Sequence, residues 1–258
     1  MAKPLVLLSN DDGHASRGIA AMRAALSVHA DVIVVAPENE QSASSHSLSL
    51  HRPLRLREVE RGVFALDGTP ADCVYVALHA EGRIVPRRPD LVVSGINHGL
   101  NLGQDVFYSG TVAAAREGAL RGIPAVATSA HANADLPGAA AVCAQIALDL
   151  LARAPFARTP LLNLNFPKGW QGQIRATRLG ARIYEELVDF RKDPRGREYL
   201  WLGGPGVRHE KSDGSDTDAY DEGVASITPL VLDLTCGGDE ALAATLASNV
   251  LRTRTRTS

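Results

Sequence analysis

Short apolar runs alternate with segments of helical periodicity through the first two thirds of the chain. The runs LVLLS, DVIVVAP, PDLVVSG, GIPAVATSA and PLLNLNFP are rich in Val, Leu, Ile and Ala, which favours buried strands. Between them, RGIAAMRAALSVH carries Ile19, Met22 and Leu26 at helical spacing, and TVAAAREGALRG and AAAVCAQIALDLLARA are also helix patterns. Because apolar strands separated by helices are typical of a parallel sheet buried on both faces, we predict an α/β fold with a Rossmann-like, doubly wound, mostly parallel sheet.

The pattern changes after Pro167. The segment GWQGQIRATRLGARIYEELVDFRKDPRGREYLWLGG alternates more and carries charge, glycine and aromatic residues, which is typical of antiparallel hairpins. A polar loop, RHEKSDGSDTDAYDEG, precedes a strand pattern in VASITPLVLDL and a closing helix pattern in DEALAATLASNVLR. We therefore predict a single domain over residues 1–258, made of a catalytic core at 1–170 and a C-terminal hairpin extension at 171–258.

The composition argues against several classes of protein. The net charge of −2 shows no basic excess, so we expect no nucleic-acid partner. The cysteines Cys73, Cys143 and Cys236 are far apart and form no CxxC motif, which disfavours structural zinc and fits a reducing compartment. The start MAKPLVLLSNDDG does not resemble a signal peptide, and no apolar run approaches the roughly 20 residues of a membrane span. We expect a soluble, cytoplasmic protein without a membrane partner.

Polar residues follow three of the predicted strands. SNDDG follows the first, ENEQSASSHS follows DVIVVAP, and INHGLNLGQDVFYSGTV follows PDLVVSG. In an open parallel sheet, ligands bind beyond the carboxyl ends of the strands. Three converging polar loops therefore predict a binding site at this edge.

Two adjacent acids, Asp11 and Asp12, follow the first strand. One residue from Asn10 to Asp12 could instead cap the next helix, although a cap needs only one short polar side chain. A hard divalent cation such as Mg²⁺ or Mn²⁺ takes carboxylates and neutral oxygens and offsets the repulsion between two acids. Ser42 and Asn97 offer neutral oxygens in the other loops, where such residues are otherwise turn formers.

The segment YSGTV places Ser109, Gly110 and Thr111 at the start of a predicted helix. Unpaired N–H groups and the helix dipole make such an N-terminus a site for an anion, and a phosphate would suit it beside a metal. The alternative is that Ser109 or Thr111 only caps the helix. GxGxxG and GxxxxGK[ST] motifs are absent from the sequence, as is Asp-x-Asp after the first strand.

Three histidines, His14, His46 and His98, lie in the predicted site loops, and His46 or His98 could shuttle a proton. Loop histidines next to a polar site more often contact substrate or are solvated. The motif GTPADCVY predicts a helix start with Thr69 as the cap and Pro70 in the first turn.

Together these motifs resemble the SurE (survival protein E) family of metal-dependent 5′/3′-nucleotidases. The matching segments, in order from residue 9 to residue 230, are SNDDG, VVAPENEQSASSHSLSL, GTPADCVYVAL, PDLVVSGINHGLNLGQDVFYSGTVAAAREGAL, NLNFP and SITPL. The sequence departs from the family pattern at Ala43, where family members often have glycine.

The resemblance implies the roles of nine residues. One Mg²⁺ or Mn²⁺ ion per subunit would bind to Asp11, Asp12, Ser42 and Asn97. The phosphate would bind near Asn101, Ser109, Gly110 and Thr111, with Asp105 also at the site. Any of Asp11, Asp12 and Asp105 could take a catalytic part, by orienting water or attacking directly, and the sequence does not separate these options.

The resemblance further implies hydrolysis of nucleoside 5′-monophosphates, and of 3′-monophosphates, to nucleoside and phosphate, with short polyphosphate as a further candidate substrate. It implies a homodimer or homotetramer that exchanges C-terminal segments, for which the hairpin near Tyr184 to Tyr199 and the final helix are candidates. Two other functions stay open: a non-catalytic nucleotide- or polyphosphate-binding protein, and a sugar-nucleotide transferase, which would need a second substrate pocket.

Overall fold

A nine-stranded sheet runs through the centre of the protein. The structure is a computed structural model that describes residues 3–185, 187–203, 206–236 and 238–254, with side chains as far as residue 248. The strands of this sheet are β1 (Leu5–Ser9), β2 (Asp31–Pro37), β3 (Leu56–Glu60), β4 (Val63–Leu66), β5 (Leu91–His98), β6 (Ala125–Ala130), β7 (Leu161–Phe166), β8 (Ile174–Ala176) and β13 (Ala225–Pro229). Their spatial order is β3-β4-β2-β1-β5-β6-β7-β13-β8.

The six strands from β4 to β7 in that order are parallel, and antiparallel pairs flank them. β3 is antiparallel to β4, and β13 is antiparallel to β7. Four further strands form two separate pairs, β9 with β12 and β10 with β11. Their bounds are β9 (Ala181–Tyr184), β10 (Val188–Lys192), β11 (Glu198–Leu202) and β12 (Val207–Glu210).

Helices cover both faces of the sheet, which confirms the predicted doubly wound α/β fold. They are α1 (Arg17–Ser27), α2 (Pro70–His79), α3 (Gly110–Leu120), α4 (Leu136–Leu151), α5 (Asp216–Asp221) and α6 (Glu240–Arg254), with a short 3₁₀ segment at Gly103–Phe107. α1 and α4 pack together on one face, and α2 and α3 pack together on the other. A hydrophobic core lies on each face of the sheet. Successive side chains of β1 point to opposite faces, so Val6 and Leu8 belong to one core and Leu7 belongs to the other.

The segment beyond residue 170 contributes to the central sheet as well as forming hairpins. β8 and β13 add two strands to its edge, and the register pairs Thr228 of β13 with Asn163 of β7. The β10–β11 hairpin leaves Phe190 and Trp201 largely exposed, at 62% and 61%. The boundary predicted at residue 170 stays a prediction.

None of the helices in the described residues combines the length and the apolar character that a bilayer span requires.

Candidate active site

The order of the strands reverses beside β1. From β1 the chain moves to β2 and β4 on one side, and then returns to build β5, β6 and β7 on the other. Such a reversal leaves a crevice at the carboxyl ends of the strands, where ligands bind in open α/β sheets. Asp11 and Asp12 follow β1, and Asn97 lies at the end of β5, so these predicted metal ligands meet at the crevice.

A cavity of about 900 Å³ opens at this crevice. Its wall includes six of the nine predicted site residues: Asp11, Ser42, Asn97, Asn101, Asp105 and Ser109. The cavity is also lined by apolar and aromatic residues, some of them from the C-terminal segment: Leu100, Tyr108, Tyr184, Leu187, Val188 and Leu202. This volume lies within the usual range for small-molecule sites and is ample for a nucleotide.

Asp11 is the most deeply buried acid of the site, with only 6% of its surface exposed. Its Oδ2 accepts a hydrogen bond from the Thr111 N–H at 3.1 Å, and its Oδ1 accepts one from the Thr111 hydroxyl. Burial raises the pKa of Asp11 from the ordinary value of 3.8 to about 6, although the bonds from Thr111 act in the opposite direction. Among the described residues, no Lys, Arg or His side chain forms an ion pair with Asp11.

Asp12 is half-buried and does not line the cavity itself. Its Oδ2 accepts a hydrogen bond from the backbone N–H of His98 at 3.0 Å, which ties the loop after β1 to the end of β5 next to Asn97. Burial raises the pKa of Asp12 as well. Two adjacent, poorly solvated carboxylates therefore share one edge of the sheet.

The neutral candidates present oxygen atoms at the same edge. The Asn97 side chain donates from Nδ2 to the Gly99 carbonyl at 2.9 Å, which leaves Oδ1 as its acceptor. The Ser42 hydroxyl donates to Glu40 at 2.6 Å, so the lone pairs of Oγ are available to a cation. Two carboxylates, an amide oxygen and a hydroxyl oxygen suit a hard divalent cation. Such an ion would compensate the buried charge of Asp11.

The start of α3 borders the same cavity. Ser109 is the N-cap, and its Oγ accepts from the Val112 N–H at 3.0 Å, so the hydroxyl hydrogen can still donate to a ligand. Gly110 occupies the first helical position, where an N–H has no acceptor within the helix. The capping alternative for Ser109 is thus confirmed, and it is compatible with binding an anion. Asn10 to Asp12 do not cap α1, because Ser16 does.

Thr111 contacts Asp11 rather than lining the cavity. Its hydroxyl and its N–H both donate to the Asp11 carboxylate, and the residue is fully buried. A hydroxyl has a single hydrogen, so a bond from it to phosphate would require the bond to Asp11 to break. The phosphate-binding role inferred for Thr111 stays a prediction, and its observed contacts orient Asp11.

Asp105 lines the cavity, but partners from β9 occupy both of its oxygens. Oδ1 accepts from the Tyr184 hydroxyl at 2.7 Å, and Oδ2 forms an ion pair with the Arg182 guanidinium. These contacts tie the C-terminal segment to the 3₁₀ segment at the site. The catalytic role inferred for Asp105 stays a prediction. Neither Arg182 nor Tyr184 is among the predicted site residues, because residues 77 and 79 positions away from Asp105 carry no local signal of the contact.

The three candidate histidines occupy different environments. His98 lines the cavity, whereas His14 lines a separate cavity beside Arg23. His46 lies 2.9 Å from the buried carboxylate of Glu117 on α3, an ion pair when the imidazole is protonated. His46 therefore links the loop that carries Ser42 to the helix that carries Ser109. Of the three, His98 alone contributes to the described cavity wall.

The loop of Ser42 contains backbone conformations that L-residues rarely adopt. Ala43 has φ +55° and Ser45 has φ +53°, both in the left-handed region. Glycine is the residue that adopts this region without steric cost. The alanine that distinguishes this sequence from the family pattern therefore occupies a position with a physical preference for glycine.

The metal-free protein should lose stability as the pH rises from about 4 to above 6. The folded-state pKa of Asp11, about 6, exceeds its ordinary value of 3.8, so between these values the folded chain holds a proton that the unfolded chain has released. The expected decrease in the free energy of unfolding is about 3 kcal/mol. Urea unfolding in EDTA at about pH 5 and 7.5 measures roughly half of this decrease, about 1.4 kcal/mol, because the unfolded chain has already released most of its proton at pH 5. Asp11→Asn should abolish this part of the pH dependence. An equal dependence in the variant would contradict the assignment to Asp11.

Comparison with known proteins gives consistent matches over most of the chain. A family model described as "Survival protein SurE" matches residues 6–186. A 5′-nucleotidase SurE of Sorangium cellulosum (strain So ce56) is 61% identical over 254 residues, which cover 96% of this chain and 97% of the relative. A 5′-nucleotidase SurE of Myxococcus xanthus (strain DK1622) is 47% identical over 237 residues, 90% of this chain and 89% of the relative.

The fold matches a solved structure of the same family. The crystal structure of the SurE protein from Aquifex aeolicus is 38% identical in sequence and superposes with a TM-score of 0.81, covering 95% of this chain and 100% of the other. The residues that match the family model include the loops after β1, β2 and β5, which line the cavity. By sequence and by fold, the chain belongs to the SurE family.

Proposed function

We propose that this protein is a 5′-nucleotidase that hydrolyses nucleoside 5′-monophosphates to nucleoside and phosphate. The observation that carries the proposal is the buried Asp11, next to Asp12 at the switch point of the sheet, without a cationic side chain among the described residues to compensate it. A buried carboxylate is costly unless a positive partner is supplied. The names of the related proteins from Sorangium and Myxococcus support the choice of reaction.

The proposed cofactor is one Mg²⁺ or Mn²⁺ ion held by Asp11, Asp12, Ser42 and Asn97. When bound, such an ion polarises a phosphoryl oxygen and lowers the pKa of a coordinated water. The protein orients the side chains that would coordinate the ion. The hydrogen bonds from Thr111 orient Asp11, and the His98 N–H orients Asp12. Compensation of the two carboxylates explains why they can lie together at a buried edge.

The phosphate group would lie between these ligands and the start of α3. The Ser109 hydroxyl and the Gly110 N–H can donate to its oxygens, and the positive end of the helix dipole favours its charge. These donors are fixed before substrate arrives, so they can stabilise charge that develops during hydrolysis without reorganising. The nucleoside would contact the apolar lining of the cavity, where Tyr108 and Leu100 offer surface for the sugar and base.

The proposal also covers further substrates, the location of the protein and its oligomeric state. We infer activity on 3′-monophosphates and short polyphosphate from the family resemblance alone. A cytoplasmic location is supported by the three cysteines, all of which are free. A homodimer or homotetramer that exchanges C-terminal segments is supported by the exposed Phe190 and Trp201 on the β10–β11 hairpin, since exposed aromatic groups of this kind mark interaction surfaces.

A phosphate-release panel tests the proposed reaction. Purified protein is incubated with nucleoside 5′- and 3′-monophosphates and with tripolyphosphate, in the presence of Mg²⁺, Mn²⁺ or EDTA. We expect release from 5′-monophosphates with a divalent ion and none in EDTA. Nucleotide binding by calorimetry without phosphate release over hours would overturn the proposal in favour of a non-catalytic binding protein. Transfer of a sugar from a nucleotide sugar, with no hydrolysis of monophosphates, would favour a transferase.

A further inference from the structure

Two asparagines are buried in β7, a strand that supplies no residue to the cavity wall. Asn163 is 0% exposed and Asn165 is 2% exposed, in a strand otherwise made of Leu and Phe. Residues two apart in a strand point to the same face, so both side chains lie on one side of the sheet. A buried amide is costly unless it is hydrogen-bonded, so the partners of these two side chains indicate their role.

Both side chains bind the backbone of Asn101, which lines the cavity. The Asn101 N–H donates to Asn165 Oδ1 at 2.8 Å. The Asn101 carbonyl accepts from Asn165 Nδ2 at 3.0 Å and from Asn163 Nδ2 at 2.8 Å. A carbonyl oxygen has two lone pairs, so the two side chains of β7 fill the hydrogen-bonding capacity of both backbone groups of Asn101, its N–H and its C=O. All three bonds are buried and therefore shielded from competition by water.

The side chain of Asn101 is fixed as well. Its Nδ2 donates to the hydroxyl of Ser129 on β6 at 2.7 Å, and Ser129 is fully buried. One N–H and the Oδ1 atom of the Asn101 amide remain to face the cavity. Asn101 itself is only 7% exposed, so the orientation of its amide depends on these contacts rather than on solvent.

We propose that Asn163 and Asn165 are positioning residues that hold Asn101 in place to bind the phosphate group of the substrate. This inference rests on the proposed nucleotidase function. The two asparagines act through Asn101, since neither lines the cavity. The acids Asp11 and Asp12 follow a different strand, β1. Loss of Asn163 or Asn165 should therefore weaken phosphate binding without weakening metal binding.

Asn165→Asp gives the sharpest test because it changes one atom and keeps the shape. The acceptor for the Asn101 N–H is kept, but the donor to the Asn101 carbonyl becomes a carboxylate oxygen when ionised. A protonated carboxyl can donate to that carbonyl again, so lowering the pH should partly restore the contact. In a variant that is fully folded at both pH values, this recovery of activity relative to the wild type reports the restored contact with Asn101 rather than a gain in stability.

Thr228→Val is the matched control. The Thr228 hydroxyl lies in a buried hydrogen bond of 2.7 Å with Thr177, on β13 beside β7, and it makes no contact with Asn101. Valine keeps the shape and removes the hydroxyl. This variant therefore removes a buried polar contact from the same part of the sheet without changing the contacts of Asn101.

For Asn165→Asp with Mn²⁺ at about pH 7.5, we expect kcat/KM for AMP to fall by about 10- to 100-fold. The inhibition constant of inorganic phosphate should rise by at least about fivefold, while the affinity for Mn²⁺ measured by calorimetry changes by less than about twofold. The ratio of variant to wild-type activity should rise toward pH 5.5. Thr228→Val should retain wild-type kinetics within about twofold.

Asn163→Ala provides a second variant if Asn165→Asp does not fold, and it should raise the phosphate inhibition constant in the same way. Phosphate inhibition unchanged from wild type in a folded variant would overturn the inference, as would equal losses of phosphate and Mn²⁺ affinity or an equal defect in Thr228→Val. A wild-type protein that releases no phosphate would contradict the proposed function instead. Phosphate binding by calorimetry would then still compare the variants.

Discussion

Asp12→Asn is expected to lower Mn²⁺-dependent phosphate release from AMP by at least about 100-fold while the protein stays folded. The substitution removes one of the two negative charges that we propose to hold the ion, and it changes no atom positions. Asp12 is half-buried, and the asparagine Oδ1 can still accept the hydrogen bond from the His98 N–H, so the junction between β1 and β5 should persist. Steady-state kinetics together with circular dichroism measure both expectations.

Asp90→Asn serves as the control for the loss of one charge. Asp90 is also partly exposed and lies just before β5, at the opposite edge of the sheet, where it pairs with Arg87 and accepts from the Leu5 N–H at 2.7 Å. Its pKa is lowered by these partners, the Arg87 hydrogen bond above all. We expect this variant to be slightly less stable and to keep wild-type turnover. Turnover of Asp12→Asn within about threefold of wild type would refute the role given to Asp12.

Gly110→Ala is expected to have the second largest effect, because it would disturb the metal and phosphate halves of the site together. A Cβ at this position would lie 2.9 Å from Asp11 Cβ, from Pro70 Cγ and from Ser44 Oγ. These three atoms belong to three different segments, so no single side chain can move to relieve the crowding. We expect a loss of about 1–3 kcal/mol in the free energy of unfolding and a decrease in kcat/KM of at least about tenfold.

Gly138→Ala is the matched control for a glycine in the first turn of a helix. Its added Cβ would meet mainly the side chain of Asp135, an exposed residue that can rotate away. Alanine is the better helix former by about 1 kcal/mol, so this variant should be neutral or slightly more stable, with unchanged kinetics. Urea unfolding and AMP hydrolysis of both variants distinguish the cases. A Gly110→Ala protein as stable and active as Gly138→Ala would show that the start of α3 is not packed closely against Asp11.

Several elements could be predicted from local sequence because local physics determines them. The apolar runs at β1 and β2 have the predicted bounds, and Thr69 caps α2 with Pro70 at its start as the motif indicated. The gathering of Asp11, Ser42 and Asn97 could also be anticipated, because parallel strands place their carboxyl ends at one edge. The general location of a candidate site thus follows from strand order and the polar residues after each strand.

The contacts that tune the site could not be predicted in the same way. Asp105 meets Arg182, and His46 meets Glu117, across 77 and 71 positions of sequence. No periodicity or capping rule relates residues so far apart, because tertiary packing alone brings them together. The antiparallel docking of β13 onto β7 is a similar case, since its short apolar pattern is compatible with several positions in a sheet.

The sequence of β7 itself contains a signal for the contact made by Asn163 and Asn165. Two amides two positions apart in an apolar strand must lie on the same buried face, where each needs a partner. The pattern could have indicated a polar contact made by this strand. It could not have indicated Asn101 as the partner, because that depends on how the loop after β5 folds over the sheet.

Titration calorimetry tests directly whether the positive partner of Asp11 and Asp12 is a divalent metal ion. Mn²⁺ is titrated at about pH 7.5 into EDTA-treated wild-type protein and into Asp12→Asn. We expect one bound ion per chain in the wild type and binding at least about 100-fold weaker in the variant. Equal affinity in the two proteins would contradict this expectation, as would a wild type that binds no ion and still hydrolyses AMP in EDTA.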